Sequence, residues 1–235
     1  MNGPVQSRQR ILGRICTATQ AVAAPAGHLD EAYVAVARTY VRKGKLTRET
    51  CLELLIERLR EYDAEVVVAS PDELPAAIAD QLATTGKRVF AAPAGLPKQW
   101  LAPGFDWKID HQLSSADIEL TEGVVTAASC AVADSGTIVL HHSPAEGRRV
   151  ISLLPDWHLC IVRASQVVET LPEYFDRFPK APALITWISG PSATADIEMT
   201  RIKGVHGPRF LHVIIVRDEG TPPIQRALTS AVLAR

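Results

Sequence analysis

Between two apolar runs, ALITWI and FLHVIIV, lies the segment GPSATADIEMTRIKGVHGP, Gly190 to Pro208. It gathers Asp196, Glu198, Arg201, Lys203 and His206 between two Gly-Pro pairs, with Arg209 directly after. Carboxylates can take up a proton, arginine can clamp a carboxylate or phosphate through two parallel hydrogen bonds, and histidine exchanges a proton near neutral pH. The flanking runs are β-branched and aromatic, so they read as buried strands, and the polar segment must return the chain across one end of a sheet. Loops at sheet ends are where α/β proteins place ligands. Gly190-Pro191 leaves a strand. Ser192 or Thr194 is expected to cap a short helix with Asp196 in its first turn, and a helix N-terminus above a sheet attracts anions. Gly204, His206, Gly207 and Arg209 make a glycine-rich loop presenting an imidazole and a guanidinium, types that turn formation alone does not demand. Asp196 and Glu198 are candidate general bases or ion-pair partners for the nearby cations.

Two further constellations carry chemistry. In ADSGT, Ala133 to Thr137, the Asp134 carboxylate, Gly136 and the Thr137 hydroxyl could bind or attack a small ligand. The same residues also make an Asx-type turn closing a hairpin. In Glu146-Gly147-Arg148-Arg149 the paired arginines could grip an anion, Arg148 at the ligand and its neighbour in solvent. The dinucleotide fingerprint, the P-loop, the GxSxG elbow and the HExxH zinc helix are all absent from the chain. His141 and His142 are adjacent, so in a strand they face opposite ways, and His212 sits inside an apolar run as a core histidine. Cys16, Cys51, Cys130 and Cys160 are far apart with no CxxC, so no metal or iron–sulfur signature is present. Scattered reduced cysteines fit a cytoplasmic protein.

Elements must position these groups. Helices are expected from Ser7, with Ile11, Leu12 and Ile15 on one face, and from Asp30 to about Lys43, stopped by Gly44. A third starts at an N-cap Thr47 and carries Leu52, Leu55, Ile56 and Leu59 at helical spacing. Residues 1–62 thus read as a helical segment and 63–235 as an α/β domain. There, EVVVAS, a helix from Pro71 to Thr85 and KRVFAAP form a β-α-β unit, hence a neighbouring parallel pair. AVADSGTIVL is a hairpin, WHLCIVRASQVV a strand, Val167 to Phe178 an amphipathic helix, and ALITWI and FLHVIIV complete the sheet. TPPIQRALTSAVLAR suggests a short terminal helix. The 235 residues carry a net charge of −1 and only 6% aromatics, which disfavours a nucleic-acid surface, and no apolar run has the length of a membrane span.

The run SGPSATADIEMTRIKGVHGPRFLHVIIV, the AVADSGTIVL hairpin and EGRRVISLLPDWHLCIVRASQVV together resemble the signature segments of the LUD-domain family, in its lactate-utilisation branch. SRQRILGRI is similar to that family's N-terminal helix, so the resemblance spans nearly the whole chain. One departure is Asp134, where the family commonly has Glu. The resemblance implies a Rossmann-like three-layer core of the NagB/RpiA/CoA-transferase type with an inserted antiparallel hairpin region. It also implies a part in oxidising L-lactate to pyruvate beside partner proteins that carry iron–sulfur clusters, this chain holding no cofactor itself. Two alternatives stand beside it: a free-standing CoA-transferase or cyclo-ligase using Asp134, and a non-catalytic small-molecule-binding module.

Overall fold

The computed structural model describes residues 4–19, 31, 33–180, 182–194, 202–204 and 206–218. Asp196, Glu198, Arg201, the linker AVAAPAG and the expected terminal helix lie outside the described residues. The chain divides into two units, Met1–Tyr40 and Val41–Arg235. In the first, α1 spans Pro4–Thr19 with Ile11, Leu12 and Ile15 exposed together. The helix expected to reach Lys43 ends earlier: residues 33–35 are helical and 36–47 are irregular. Val34, Val36, Thr39 and Val41 are β-branched, which disfavours helix, and the three valines are exposed, so no burial offsets that preference.

The second unit opens with α2, Arg48–Glu61. The Thr47 side chain accepts the Thr50 N–H at 3.2 Å, capping the helix as expected. Leu52, Leu55 and Leu59 on one face are fully buried, so this helix packs as part of the larger unit. There follow β1 (Glu65–Ala69), α3 (Leu74–Thr84), β2 (Val89–Pro93), β3 (Asp106–Asp110), α4 (Ser115–Glu119), β4 (Gly123–Ala127), β5 (Cys130–Val132) and β6 (Thr137–Leu140). Next come β7 (Trp157–Arg163), β8 (Val167–Val168), α5 (Leu171–Arg177), β9 (Thr186–Ile188), β10 (Ala193–Thr194), β11 (Ile202–Lys203) and β12 (Phe210–Val216).

Six strands form an all-parallel sheet in the order β1-β12-β7-β4-β2-β3. The expected neighbours β1 and β2 are parallel but have three strands between them. The largely apolar and largely buried β7 and β12 take interior positions, while the half-exposed β1 takes an edge. Alternation along β12 splits its side chains: Leu211, Val213 and Ile215 pack with α2, whereas Ile214 and Val216 pack with α3. A second, mixed sheet runs β8-β5-β6-β9, with β5–β6 as the expected hairpin. It covers the α2 side of the core through Ala131, Ile138 and Leu140. The strand TWI thus belongs to this second sheet, not to the sheet of FLHVIIV. Its residues are only partly buried, as suits an outer strand. The helix expected from Val167 starts at Leu171, with Thr170 as its N-cap, because Val167–Val168 pair with Ala131–Val132 first. Among the described residues no helix is long and apolar enough to cross a membrane.

Candidate functional site

The turn Arg149–Ser152, the starts of β7 and β12, strand β9 and the loop after it surround a cleft of about 280 Å³. Arg149, His158, Ser189, Ser192, His206 and Gly207 are among its lining. An adjoining hollow of about 600 Å³ shares Arg149, Leu153, His206 and Gly207 and adds Asp156 and Gly204. Both lie at the amino ends of β7 and β12. The carboxyl ends of β2, β3 and β4, the usual ligand edge of an open α/β sheet, are covered by the chain itself. There the Gly95 N–H donates to the Pro144 carbonyl at 2.9 Å and the Ala127 N–H to the Ala145 carbonyl at 3.0 Å. Buried Glu146 holds that cover in place, accepting the Ser129 hydroxyl and the His141 and Ser143 N–H groups.

Ala193–Thr194 is extended and pairs antiparallel with Ile202–Lys203, so Ser192 caps no helix, and the helix expected to follow Thr194 lies outside the described residues. Ser192 instead ties the loop together. Its N–H donates to the Pro208 carbonyl, its carbonyl accepts the Gly204 N–H, and its hydroxyl accepts the His206 N–H at 3.1 Å. Gly204 has φ +87°, and a Cβ there would run into Arg209. Gly190, at φ +89°, likewise lies against Tyr62. These two glycines are backbone requirements of the loop. Gly207 and the exposed imidazole of His206 line the cleft.

Three arginines divide into two roles. Arg148 donates twice to Asp110, at 2.8 and 2.6 Å, and once to the Leu113 carbonyl. Arg209 donates twice to Asp156, at 2.5 and 2.8 Å. The guanidiniums hold both carboxyls below the ordinary carboxylate range. Arg148 and Arg209, the sequence candidates for gripping an anion, thus fasten loops to the sheet. Arg149, read as the solvent-facing partner, is the arginine that lines the cleft. Among the described residues its guanidinium has neither an ion pair nor a hydrogen bond. A cation at the mouth with no carboxylate partner among the described residues favours an anionic ligand.

Asp134 is exposed on the β5–β6 turn, its N–H bonded to the Glu169 carbonyl, and it is not part of the cleft lining. Gly136 closes the same turn at φ +59°. Thr137 reaches the site indirectly: its hydroxyl is 2.7 Å from that of Ser189 on the cleft wall and 2.8 Å from that of Ser135. His141 and His142 bond apart as expected, to the Tyr174 hydroxyl and to Gly147 and Thr186. His212 packs against Trp157 and bonds Gln81. Buried Cys51, Cys130 and Cys160 are pushed up by burial to about 11, 11 and 12. Among the described residues no three His, Cys, Asp or Glu side chains gather as a metal site.

Sequence reasoning missed His158 and Thr126. His158 is 1% exposed on β7, and its Nε2 lies 2.8 Å from the Thr126 hydroxyl of β4. Burial alone pushes its imidazole down to about 4, so it is neutral near pH 7. The signal was one histidine at the head of the otherwise apolar WHLCIV.

A family model described as the LUD domain matches residues 52–216. A protein named lactate utilization protein C from Deinococcus radiodurans is 41% identical over 175 residues, 73% of this chain and 82% of its own. One of the same name from Bacillus velezensis is 28% identical over 190 residues, 70% of this chain and 78% of its own. A crystal structure of a DUF162-family protein from Deinococcus radiodurans shares 37% identity at a TM-score of 0.64, covering 73% of this chain and 99% of that one.

Proposed function

This chain belongs to the LUD-domain family, and from that premise we propose that it serves lactate utilisation in the cytoplasm by holding a small carboxylate, lactate or pyruvate, in the cleft beside Arg149 and His206. The name borne by its relatives supports the pathway. One observation carries the site: of the arginines at this end of the sheet, Arg149 lacks a carboxylate among the described residues, while Arg209 beside it has Asp156. A ligand carboxylate would complete Arg149 as Asp156 completes Arg209, through two parallel hydrogen bonds. His206 and Gly207 line the same cleft. Oxidation of lactate to pyruvate removes two electrons and two protons. In this reading the electrons pass to iron–sulfur partner proteins, and this chain binds and orients the anion. Asp134 takes no part, standing on a turn outside the cleft lining.

The test is a deletion strain grown on L-lactate as sole carbon source, with tagged wild-type protein restored to it. Failure of the deletion to grow, rescue by wild type, and copurification of iron–sulfur proteins are expected. Normal growth of the deletion with no second gene copy present would contradict the pathway, and a tagged protein that brings down no iron–sulfur partner would contradict the electron route.

A further inference from the structure

The floor of the cleft differs from its mouth. Arg149 and His206 at the mouth are exposed, whereas His158 at the floor is buried and flanked along β7 by buried Trp157, Leu159 and Cys160. A polar ring in so apolar a strand has to satisfy its nitrogens or face something that will. Nε2 is satisfied by the buried Thr126 hydroxyl. Nδ1 has no hydrogen-bond partner among the described residues, and the ring lines the cleft.

We propose that His158, positioned by Thr126, is the specificity-determining group of the cleft, selecting carboxylates that carry a hydroxyl or keto oxygen beside the carboxylate. The inference rests on the carboxylate reading of Arg149 and deepens it. A ring that stays neutral cannot add to anion affinity as a charge, so what it offers is one directed hydrogen bond. The direction of that bond depends on Thr126. The Thr126 hydroxyl also reaches the Cys160 sulfur at 3.8 Å. When it donates to the sulfur, its oxygen accepts the His158 Nε2–H, and Nδ1 presents a lone pair that suits a ligand hydroxyl. When it donates to Nε2, Nδ1 carries the proton and suits a ligand carbonyl. A hydroxyl rotation coupled to a change of imidazole tautomer, the ring giving up its proton at one nitrogen and taking one up at the other from water in the cleft, thus fits the floor to either a 2-hydroxy or a 2-oxo acid, the two ends of the proposed reaction.

The experiment titrates L-lactate, pyruvate and propionate, which lacks the second oxygen, into the full-length protein by calorimetry. Wild type should bind lactate and pyruvate about 3- to 10-fold more tightly than propionate, the worth of one net hydrogen bond. His158→Gln should abolish that preference while leaving propionate affinity unchanged, and Thr126→Val should reduce it. Arg149→Gln should weaken all three ligands alike. In case the buried variants fail to fold, nitrogen-15 histidine spectra of wild type supply the second measurement, in which lactate or pyruvate, but not propionate, should move the Nδ1 resonance of a ring neutral from pH 5 to 8. Equal binding of the three acids to wild type, or an unmoved Nδ1 resonance on ligand saturation, would overturn the role of His158 while leaving the carboxylate site standing. No binding of any of the three would overturn both.

Discussion

Replacing Arg148 should damage the fold more than neutralising the carboxylate it holds. The Asp110 side chain is 2% exposed and the Arg148 side chain 38%. In Arg148→Ala the Asp110 carboxylate stays buried with only backbone donors such as the Leu113 N–H. Breaking a fully buried pair in this way costs about 3–5 kcal/mol, and the partial exposure of Arg148 lowers the expectation here to about 2–3 kcal/mol. In Asp110→Asn the volume and the Leu113 bond are kept, and the guanidinium can turn toward water, so about 1–2 kcal/mol is expected. The double variant should cost less than the sum by about 1 kcal/mol or more. Urea unfolding at pH 7, with unchanged slope, measures all three. The pH dependence has a definite sign. In wild type the folded carboxyl lies below its unfolded value, so its stabilisation is present above about pH 4 and is lost as pH falls through the folded value. In Arg148→Ala the buried, unpaired carboxyl rises above the unfolded value, so its penalty fades toward pH 4 and the gap to wild type narrows. An Asp110→Asn cost equal to or larger than that of Arg148→Ala, additive costs, or a gap that widens in acid would refute the reasoning.

Gly204→Ala should displace Arg209 from Asp156 and destabilise the protein by about 1–2 kcal/mol, through the left-handed backbone and the clash together, as thermal unfolding would report. Leu55→Ala, in the fully buried face of α2, should cost about 2–5 kcal/mol in the same assay, whereas Leu120→Ala, on an exposed side chain, should stay within about 0.5 kcal/mol of wild type. A thiol reagent at pH 8 should label exposed Cys16 quickly. Cys51, Cys130 and Cys160, with about one thiolate in a thousand or fewer at that pH, should react only on unfolding.

Local patterns in the sequence were sufficient for most elements. Thr47 and the Leu52–Leu55–Leu59 spacing marked α2, and the two apolar arms around Asp134-Ser135-Gly136 marked the hairpin. Long-range pairing was not legible. A strand of five residues carries no sign of its neighbour, so nothing in EVVVA showed that it would lie beside FLHVIIV and not beside VFAAP. The pairing of the arginines was not legible for the same reason. Arg148 and Arg149 look alike in sequence, and only Asp110, 38 positions away, separates the anchored one from the one in the cleft. Arg209 was read as a ligand group because Asp156, 53 positions away, could not be seen to face it. The glycines and His206 were found correctly as a loop, since Gly-Pro pairs and isolated polar residues act through local backbone geometry. Ser192 was read as a helix cap because a hydroxyl before small residues caps helices and ties loops with the same hydrogen bond.

Growth on L-lactate of the deletion strain carrying the Arg149→Gln protein, matched to wild type in abundance, bears most directly on the cleft as the working site. The account predicts that this variant folds with wild-type stability, because Arg149 is exposed and holds no partner among the described residues, and that the strain fails to grow or grows slowly on L-lactate while growing normally on glucose. Wild-type growth on L-lactate with Arg149→Gln as the sole copy would contradict it.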